Sequence, residues 1–216
     1  MRAEGRRYGG RTAEERRESR RTALLDAGYD LYGTVGYRNV SIERVCSHAR
    51  LTARSFYEEF GSREALLRAV YDRTIAHAAE AVFSAMAAAG DGVRDVAEAG
   101  IAAFVHAMLD DPRAARIVHL EVVGVSEGME GHRRQVLRAF ADIVAAEGLR
   151  LNAGRVPDGL DPRPTALALV GGGNELIVDW LQSEDKLSLD ALIVVLTDLF
   201  VAASAGPPDR RPDSRA

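Results

Sequence analysis

Hydrophobic residues recur at helical spacing along most of the chain, and glycine, proline and capping residues separate these stretches. Between Ala13 and Val35, leucine and alanine return at helical intervals and predict a first helix. Ser41 and Thr52 are placed to cap two short helices with apolar inward positions. No segment alternates convincingly between apolar and polar residues, so we expect an all-α protein without strands.

Longer helices are predicted in the rest of the chain. Ser62 can cap a helix that continues to Ala89, which at ~1.5 Å per residue would form one rigid rod. Two Asp-Pro pairs, each a capping carboxylate followed by proline at the first helical position, open further helices. The helices predicted after the rod span residues 93–109, 112–126, 131–151, 162–183 and 188–203.

Residues 41–67, SIERVCSHARLTARSFYEEFGSREALL, are the most informative stretch. They are predicted to form two short helices joined by a tight turn and followed directly by a third helix. Apolar residues stand where the three helices would meet. This pattern is typical of a helix-turn-helix, which places its second helix in the major groove of DNA.

The distribution of charge supports a DNA partner. The net charge is −4, but residues 1–63 carry 13 Arg and 9 acidic residues, and residues 64–216 carry 15 basic and 23 acidic residues. A basic N-terminal part suits phosphate. No apolar run approaches the roughly 20 residues that span a bilayer, and no secretory signal follows the first arginines. We therefore expect a cytoplasmic protein with no membrane partner.

Catalysis and metal binding find little support. Cys46 is the only cysteine, and the five histidines show no paired metal-ligand spacing. The chain has no GxSxG elbow, and the Gly171-Gly172-Gly173 run lacks the strand and the Lys-Ser/Thr pair of a phosphate-binding loop. We expect no enzyme, no metal and no cofactor.

Arg54 is the candidate for base recognition, because an arginine can fork onto O6 and N7 of a guanine; the alternative is a solvated surface arginine. The hydroxyl of Tyr57 suits a phosphate oxygen, and helix starts offer backbone amides to phosphates. The predicted DNA-contacting residues are Ser41, Arg50, Thr52, Ala53, Arg54, Ser55, Tyr57 and Arg63.

The run Ala49-Arg50-Leu51-Thr52-Ala53-Arg54-Ser55-Phe56-Tyr57-Glu58-Glu59-Phe60, followed by Ser62-Arg63-Glu64-Ala65-Leu66-Leu67, resembles the DNA-binding signature of the TetR family of transcriptional regulators. Two positions depart from that signature. Arg50 replaces a turn glycine, where a left-handed conformation would cost roughly 1–2 kcal/mol. Either the turn is rebuilt, or the strain is accepted because Arg50 contacts DNA. Glu59 stands where the family often has histidine.

The resemblance implies a domain organisation. A helix-turn-helix DNA-binding domain over residues 13–61 would precede a helical ligand-binding and dimerisation domain over residues 62–204. The flanking segments, 1–12 and 205–216, are predicted to be a disordered basic arm and a disordered tail. The arm is either solvated or reaches into a minor groove.

The resemblance also implies a homodimer through the last two helices and a small-molecule pocket among the middle helices. The predicted ligand-binding residues, which combine apolar bulk with occasional polar groups, are Phe104, Met108, His119, Val122, Phe140, Asn174, Ile177 and Trp180. The alternative for each of them is a role in the core.

The leading hypothesis is a repressor released from a pseudo-palindromic operator by a small-molecule inducer, through a shift of the long helix. A transcriptional activator on the same fold is one alternative. A helical enzyme or ligand carrier with a vestigial DNA-binding domain is the other, and the absence of salt-dependent DNA affinity would favour it.

Overall fold

The structure, a computed structural model, describes residues 12–154, 156 and 161–205. Within these ranges the chain is helical and contains no strand, which confirms the predicted fold class. The predicted arm, apart from Thr12, and the predicted tail, apart from Ala205, lie outside the described residues. The α-helices are α1 (Ala13–Thr34), α2 (Ile42–Ala49), α3 (Ala53–Glu59), α4 (Arg63–Ala88), α5 (Val93–Leu109), α6 (Pro112–Arg116), α7 (Glu127–Leu151), α8 (Pro162–Gln182) and α9 (Leu189–Ala205).

The caps predicted at Ser41, Ser62 and Asp161 are confirmed, and each is a contact within one turn of the chain. Ser41 Oγ accepts a hydrogen bond from the backbone N–H of Arg44, and Ser62 Oγ accepts one from Ala65. The carboxylate of Asp161 accepts one from Arg163 N–H at the start of α8, where Pro162 follows it. Such contacts satisfy amides that have no partner inside a helix.

Two predicted boundaries differ from the structure. The helix expected over residues 112–126 is a short α6 that continues as a π-helical turn, Ile117–Glu121. α7 begins at Glu127, four residues before the predicted start, because Ser126 caps it by accepting from Met129 N–H. A short 3-10 turn, Tyr37–Asn39, also lies between α1 and α2.

The chain divides into two compact units. The first unit contains the described residues up to Ile75 together with Pro112–Val125, and the second contains Ala76–Asp111 and the described residues from Ser126 onward. α4 therefore contributes to both units. The domain division predicted after residue 61 stays a prediction.

Each unit has its own apolar core. In the first unit α1, α2 and α3 pack on one another, α6 packs on α1, and Gly28 of α1 lies against Leu66 and Val70 of α4. In the second unit α5 packs on α9, and α7 packs on α8. The largest fully buried side chains are, in the first unit, Leu24, Tyr32, Val40, Phe56, Leu66, Leu67, Tyr71 and Ile117 and, in the second, Met108, Met129, Ile177 and Leu192. No described helix has the length and hydrophobicity needed to cross a membrane.

Candidate nucleic-acid interface

The turn between α2 and α3 keeps its left-handed conformation although it contains arginine. Arg50 has φ 55° and ψ 41°, and its N–H donates to the carbonyls of Cys46 and Ser47. The next amide, of Leu51, donates to Cys46 O at 2.9 Å. These bonds use the last carbonyls of α2 and stop the helix there. The turn is therefore not rebuilt around Arg50: the residue accepts the left-handed conformation, and its side chain is exposed.

α3 is oriented by its cap and by two aromatic side chains. Thr52 Oγ1 accepts from Ser55 N–H at 3.2 Å and lies 3.1 Å from Ser55 Oγ. Phe56 and Phe60 are buried, with ring centroids 6.1 Å apart, and fix the inward face of the helix. The opposite face therefore points outward.

The outward face of α3 carries the side chains that were predicted to contact DNA. Ala53, Arg54 and Tyr57 are exposed, and Tyr57 stands edge-on to the Phe56 ring, 5.5 Å between centroids. This contact orients the Tyr57 ring while 59% of the residue stays accessible. A small residue beside a long cation and a rigid hydroxyl-bearing ring permits close approach to a duplex.

Arg54 is paired along the helix with Glu58. Its Nε donates to Glu58 Oε1 at 3.0 Å, and the two side chains are 89% and 48% exposed. The terminal amino groups of the guanidinium are the donors that can fork onto a guanine.

Glu59 has a different role from the one a histidine at this position would have. Its side chain is 1% exposed, and its two carboxylate oxygens each accept a hydrogen bond at 3.2 Å, from Arg17 Nε and from an amino group of Arg20. Both arginines belong to α1. Glu59 therefore ties the end of α3 to α1 and is unavailable to DNA.

Two of the predicted phosphate contacts are occupied within the protein. The guanidinium of Arg63 donates to Val40 O at 2.7 Å and lies 4.4 Å from the centre of the Tyr37 ring. Ser41 Oγ is the cap of α2. Contact between these residues and DNA stays a prediction, as it does for Arg50, Thr52 and Ser55.

Sequence reasoning missed the residues that hold the helix-turn-helix in place. Asp30 in α1 binds His48 of α2 at 3.2 Å and Arg113 of α6 at 2.7 Å. Glu121 accepts from Tyr37 N–H at 2.7 Å and from Arg116 at 2.8 Å. Except for Arg116 and Glu121, which are five positions apart, each contact joins residues distant in sequence, so no local pattern could indicate it.

Cys46 is a core residue, as predicted. It is buried, and that burial, together with the nearby Glu43 carboxylate, raises the pKa of its thiol above the usual range. A thiol whose pKa is raised in this way is less reactive at neutral pH. No group of His, Cys, Asp or Glu among the described residues is arranged to hold a metal ion.

Comparison with known proteins identifies the first unit. The profile of bacterial regulatory proteins of the tetR family matches residues 24–70, from within α1 to within α4. Residues 24–70 are a TetR-family DNA-binding domain. The resemblance found in the sequence is therefore confirmed. No curated protein matches the chain.

Solved structures extend the similarity of fold to most of the chain. FadR of Bacillus subtilis, in complex with stearoyl-CoA, has a TM-score of 0.74 at 17% sequence identity. The match covers 84% of this chain and 98% of the FadR chain. FadR of Bacillus halodurans, a fatty acid degradation regulator, has a TM-score of 0.74 at 16% identity, covering 84% and 94%. A putative TetR-family regulator from Rhodococcus sp. has a TM-score of 0.68 at 21% identity, covering 84% and 96%. The chain has the fold of a TetR-family transcriptional regulator.

The predicted ligand-binding residues lie in both units. His119 and Val122 are buried in the first unit, on and just after the π-helical turn. The other six belong to the second unit, where Met108 and Ile177 are fully buried and Phe104 contacts Phe140 with ring centroids 6.1 Å apart. Trp180 donates through Nε1 to Leu187 O at 2.8 Å. A shared ligand for these residues stays a prediction.

The second unit has a cleft elsewhere. It lies among the end of α7, the start of α8 and the end of α9, with a cavity volume of about 50 Å³. Ligand pockets for drug-sized molecules usually measure roughly 300–1,000 Å³. Its lining among the helices includes Val144, Gly148, Leu149, Ala166, Leu169 and Phe200, and none of the eight predicted ligand-binding residues.

Proposed function

We propose that this TetR-family protein is a dimeric transcriptional repressor that binds a pseudo-palindromic operator and releases it when a small molecule binds the second unit. The observation that carries the proposal is the face of α3. Phe56 and Phe60 are buried, so Arg54 and Tyr57 project outward from a helix that is capped at its start and tied to α1 at its end.

Homodimerisation is supported by the surfaces of α8 and α9. Leu167 on α8 is 45% exposed, and Val194 and Leu199 on α9 are 55% and 50% exposed. A Cβ built on Gly171 or Gly172 would meet no atom within 4 Å. A glycine inside a helix costs up to about 1 kcal/mol relative to alanine, so two open glycines suit the close approach of another helix. A second copy of the chain supplies such helices and covers the apolar side chains.

Two-fold symmetry then determines the form of the operator. A dimer presents two copies of α3, and two recognition helices bind half-sites that lie one helical turn, or a multiple of it, apart on the duplex. The half-sites are therefore inverted copies of one another.

Control by a small molecule is supported by the composition of the second unit. Its middle helices supply apolar side chains such as Phe104, Met108 and Phe140 together with polar Asn174, a combination suited to an apolar ligand with a polar group. One protein of similar fold was solved with stearoyl-CoA. Because α4 belongs to both units, a shift of α4 on ligand binding would change the separation of the two α3 helices and so weaken operator binding.

The test begins with DNA binding. Full-length protein is titrated against the DNA upstream of its own gene and against an unrelated duplex, with fluorescence anisotropy at several salt concentrations. We expect sequence-dependent binding whose affinity falls steeply with salt. Binding that ignores sequence would contradict the proposal. A reporter gene behind the same DNA then separates repression from activation, because expression should rise when the regulator gene is deleted.

A further inference from the structure

Glu58 is an acidic residue on the outward face of a helix that approaches a polyanion. An exposed ion pair one helical turn apart stabilises a helix by roughly 0.3–0.5 kcal/mol, so stability gives little reason for it. In a complex with DNA the carboxylate would be repelled by nearby phosphates. The contact that it does make is with Arg54, at 3.0 Å.

The atoms in that contact are suited to base recognition. Glu58 Oε1 accepts from Arg54 Nε, at the inner edge of the guanidinium, and this leaves the two terminal amino groups free of Glu58. Two parallel N–H donors are what O6 and N7 of a guanine accept. An arginine whose orientation is already restricted also loses less side-chain entropy when it binds.

The neighbouring carboxylate does not compete for Arg54. Glu59 is buried and bound by Arg17 and Arg20 of α1. Glu58 is therefore the carboxylate of α3 that orients the exposed guanidinium.

We propose that Glu58 is a positioning residue for base recognition: it holds Arg54 by Nε so that the terminal amino groups of Arg54 read a guanine. This inference rests on the proposed function, in which α3 binds DNA. It identifies a determinant of base preference that itself contacts neither base nor phosphate.

Two opposite results are possible when the carboxylate is removed. If Glu58 only adds negative charge, Glu58→Ala tightens binding to every duplex by a similar factor, because a repulsion is lost. If Glu58 positions Arg54, the variant loses discrimination between the guanine-containing site and the same site with that base pair changed. The ratio of the two affinities separates these outcomes.

The experiment uses full-length wild-type protein and the variants Glu58→Ala, Arg54→Ala and the double variant. A selection from random duplexes gives the preferred site of the wild type, and the base pair at which Arg54→Ala loses preference marks the guanine. Affinities for the preferred and the changed site are measured at two salt concentrations. Glu43→Ala, which removes an exposed carboxylate from α2, is the matched control.

We expect Glu58→Ala to lower the affinity ratio by roughly five-fold or more, within the 1–3 kcal/mol that such a contact contributes. In the Arg54→Ala background the same change should leave the ratio unaltered, because the residue acts through Arg54. Glu43→Ala should change both affinities alike. An unchanged ratio for Glu58→Ala in a protein that prefers one sequence would overturn this inference alone. A wild-type protein without any preferred sequence would overturn the proposed function and the inference with it.

Discussion

The two units of the protein use charged side chains in different ways. In the first unit, carboxylates join elements that are far apart in sequence: Glu59 binds two arginines of α1, and Asp30 binds both α2 and α6. In the second unit, the pairs Arg94–Asp198 and Arg163–Asp142 also join helices, but all four side chains are more than half exposed. Exposed ion pairs contribute little to stability, so we expect apolar packing to be the main source of stability in this unit.

The difference fits what the proposed function asks of each unit. α3 has seven residues, and a helix of that length is unstable by itself in water. Directional contacts at both of its ends hold it in one orientation, which a rigid partner such as a duplex requires. Apolar packing between long helices is less directional, so the second unit can accommodate small changes in helix position.

The largest effect that we expect comes from a cavity in the second unit. Leu192 on α9 is 1% exposed, and Leu192→Ala should lower the free energy of unfolding by about 3 kcal/mol. Trp180, the only tryptophan, lies in this unit, so urea denaturation followed by its fluorescence measures the change. Leu187→Ala, at a residue that is 53% exposed, should have an effect below about 0.5 kcal/mol. Equal losses in both variants would show that apolar burial does not govern this unit.

The next effect tests the role of charge in the first unit. Glu59→Gln keeps the shape of the side chain but leaves two arginines without their carboxylate, and we expect a loss of about 2 kcal/mol together with weaker DNA binding. Asp142→Asn, at an ion pair of the second unit that is exposed, is the matched control and should cost less than about 0.5 kcal/mol. Thermal unfolding by circular dichroism compares the two variants. Similar losses would remove the distinction between the units.

A smaller gain in stability is expected from removing a buried hydroxyl. Thr197 on α9 is 1% exposed, and its Oγ1 has no hydrogen-bond partner among the described residues. Thr197→Val should therefore raise stability by about 1 kcal/mol in denaturation followed by Trp180. Thr74 on α4 is the control, because its Oγ1 donates to Val70 O at 2.9 Å and Thr74→Val removes that bond. A loss of stability in Thr197→Val would mean that the hydroxyl has a partner in solution.

The same test is available in the first unit. The hydroxyl of Tyr32 is buried without a hydrogen-bond partner among the described residues, and burial raises the pKa of its phenol. Tyr32→Phe should therefore raise stability by about 1 kcal/mol in urea denaturation, as Thr197→Val is expected to do. Removing a buried hydroxyl without a hydrogen-bond partner is therefore expected to have the same effect in both units.

What the sequence predicts depends on how far apart the interacting residues are. The capping roles of Ser41 and Thr52 are predictable from the sequence because each side chain accepts a hydrogen bond from an amide only three residues later. Glu59 and Arg17 are 42 positions apart, and Tyr37 and Glu121 are 84 apart, so neither contact leaves a periodic signal. The helix-turn-helix was predictable because its pattern is compact. The predicted ligand-binding residues stay a prediction, because amphipathic helices look alike in sequence whether they enclose a pocket or a core.

Arg63 is an example of a residue whose contacts cannot be predicted from its neighbours in the sequence. At a helix start an arginine was expected to bind phosphate, and nothing nearby in the sequence indicated another partner. The structure places its guanidinium over the Tyr37 ring and on Val40 O. The 3-10 turn that brings Tyr37 there was not predicted.

The smallest effect concerns two strained turns, one in each unit. Arg50 and Ala153 both have positive φ, 55° and 53°. Replacing either with glycine removes about 1 kcal/mol of strain, but glycine also gains freedom in the unfolded chain, so we expect a net gain of about 0.5 kcal/mol in urea denaturation for each. The two variants should differ in DNA binding. If Arg50 contacts a phosphate, Arg50→Gly weakens binding to all duplexes and reduces the slope of log K against log salt by about 1, whereas Ala153→Gly leaves that slope unchanged.

Arg50→Asn separates charge from conformation at this position, because asparagine tolerates the left-handed region but carries no charge. We expect it to reduce the salt slope as much as Arg50→Gly does. An unchanged slope in both variants would mean that Arg50 is a turn residue only. In that case Arg50, like Ala153, would be a strained turn residue without a contact to DNA, and the strained turns of the two units would be equivalent.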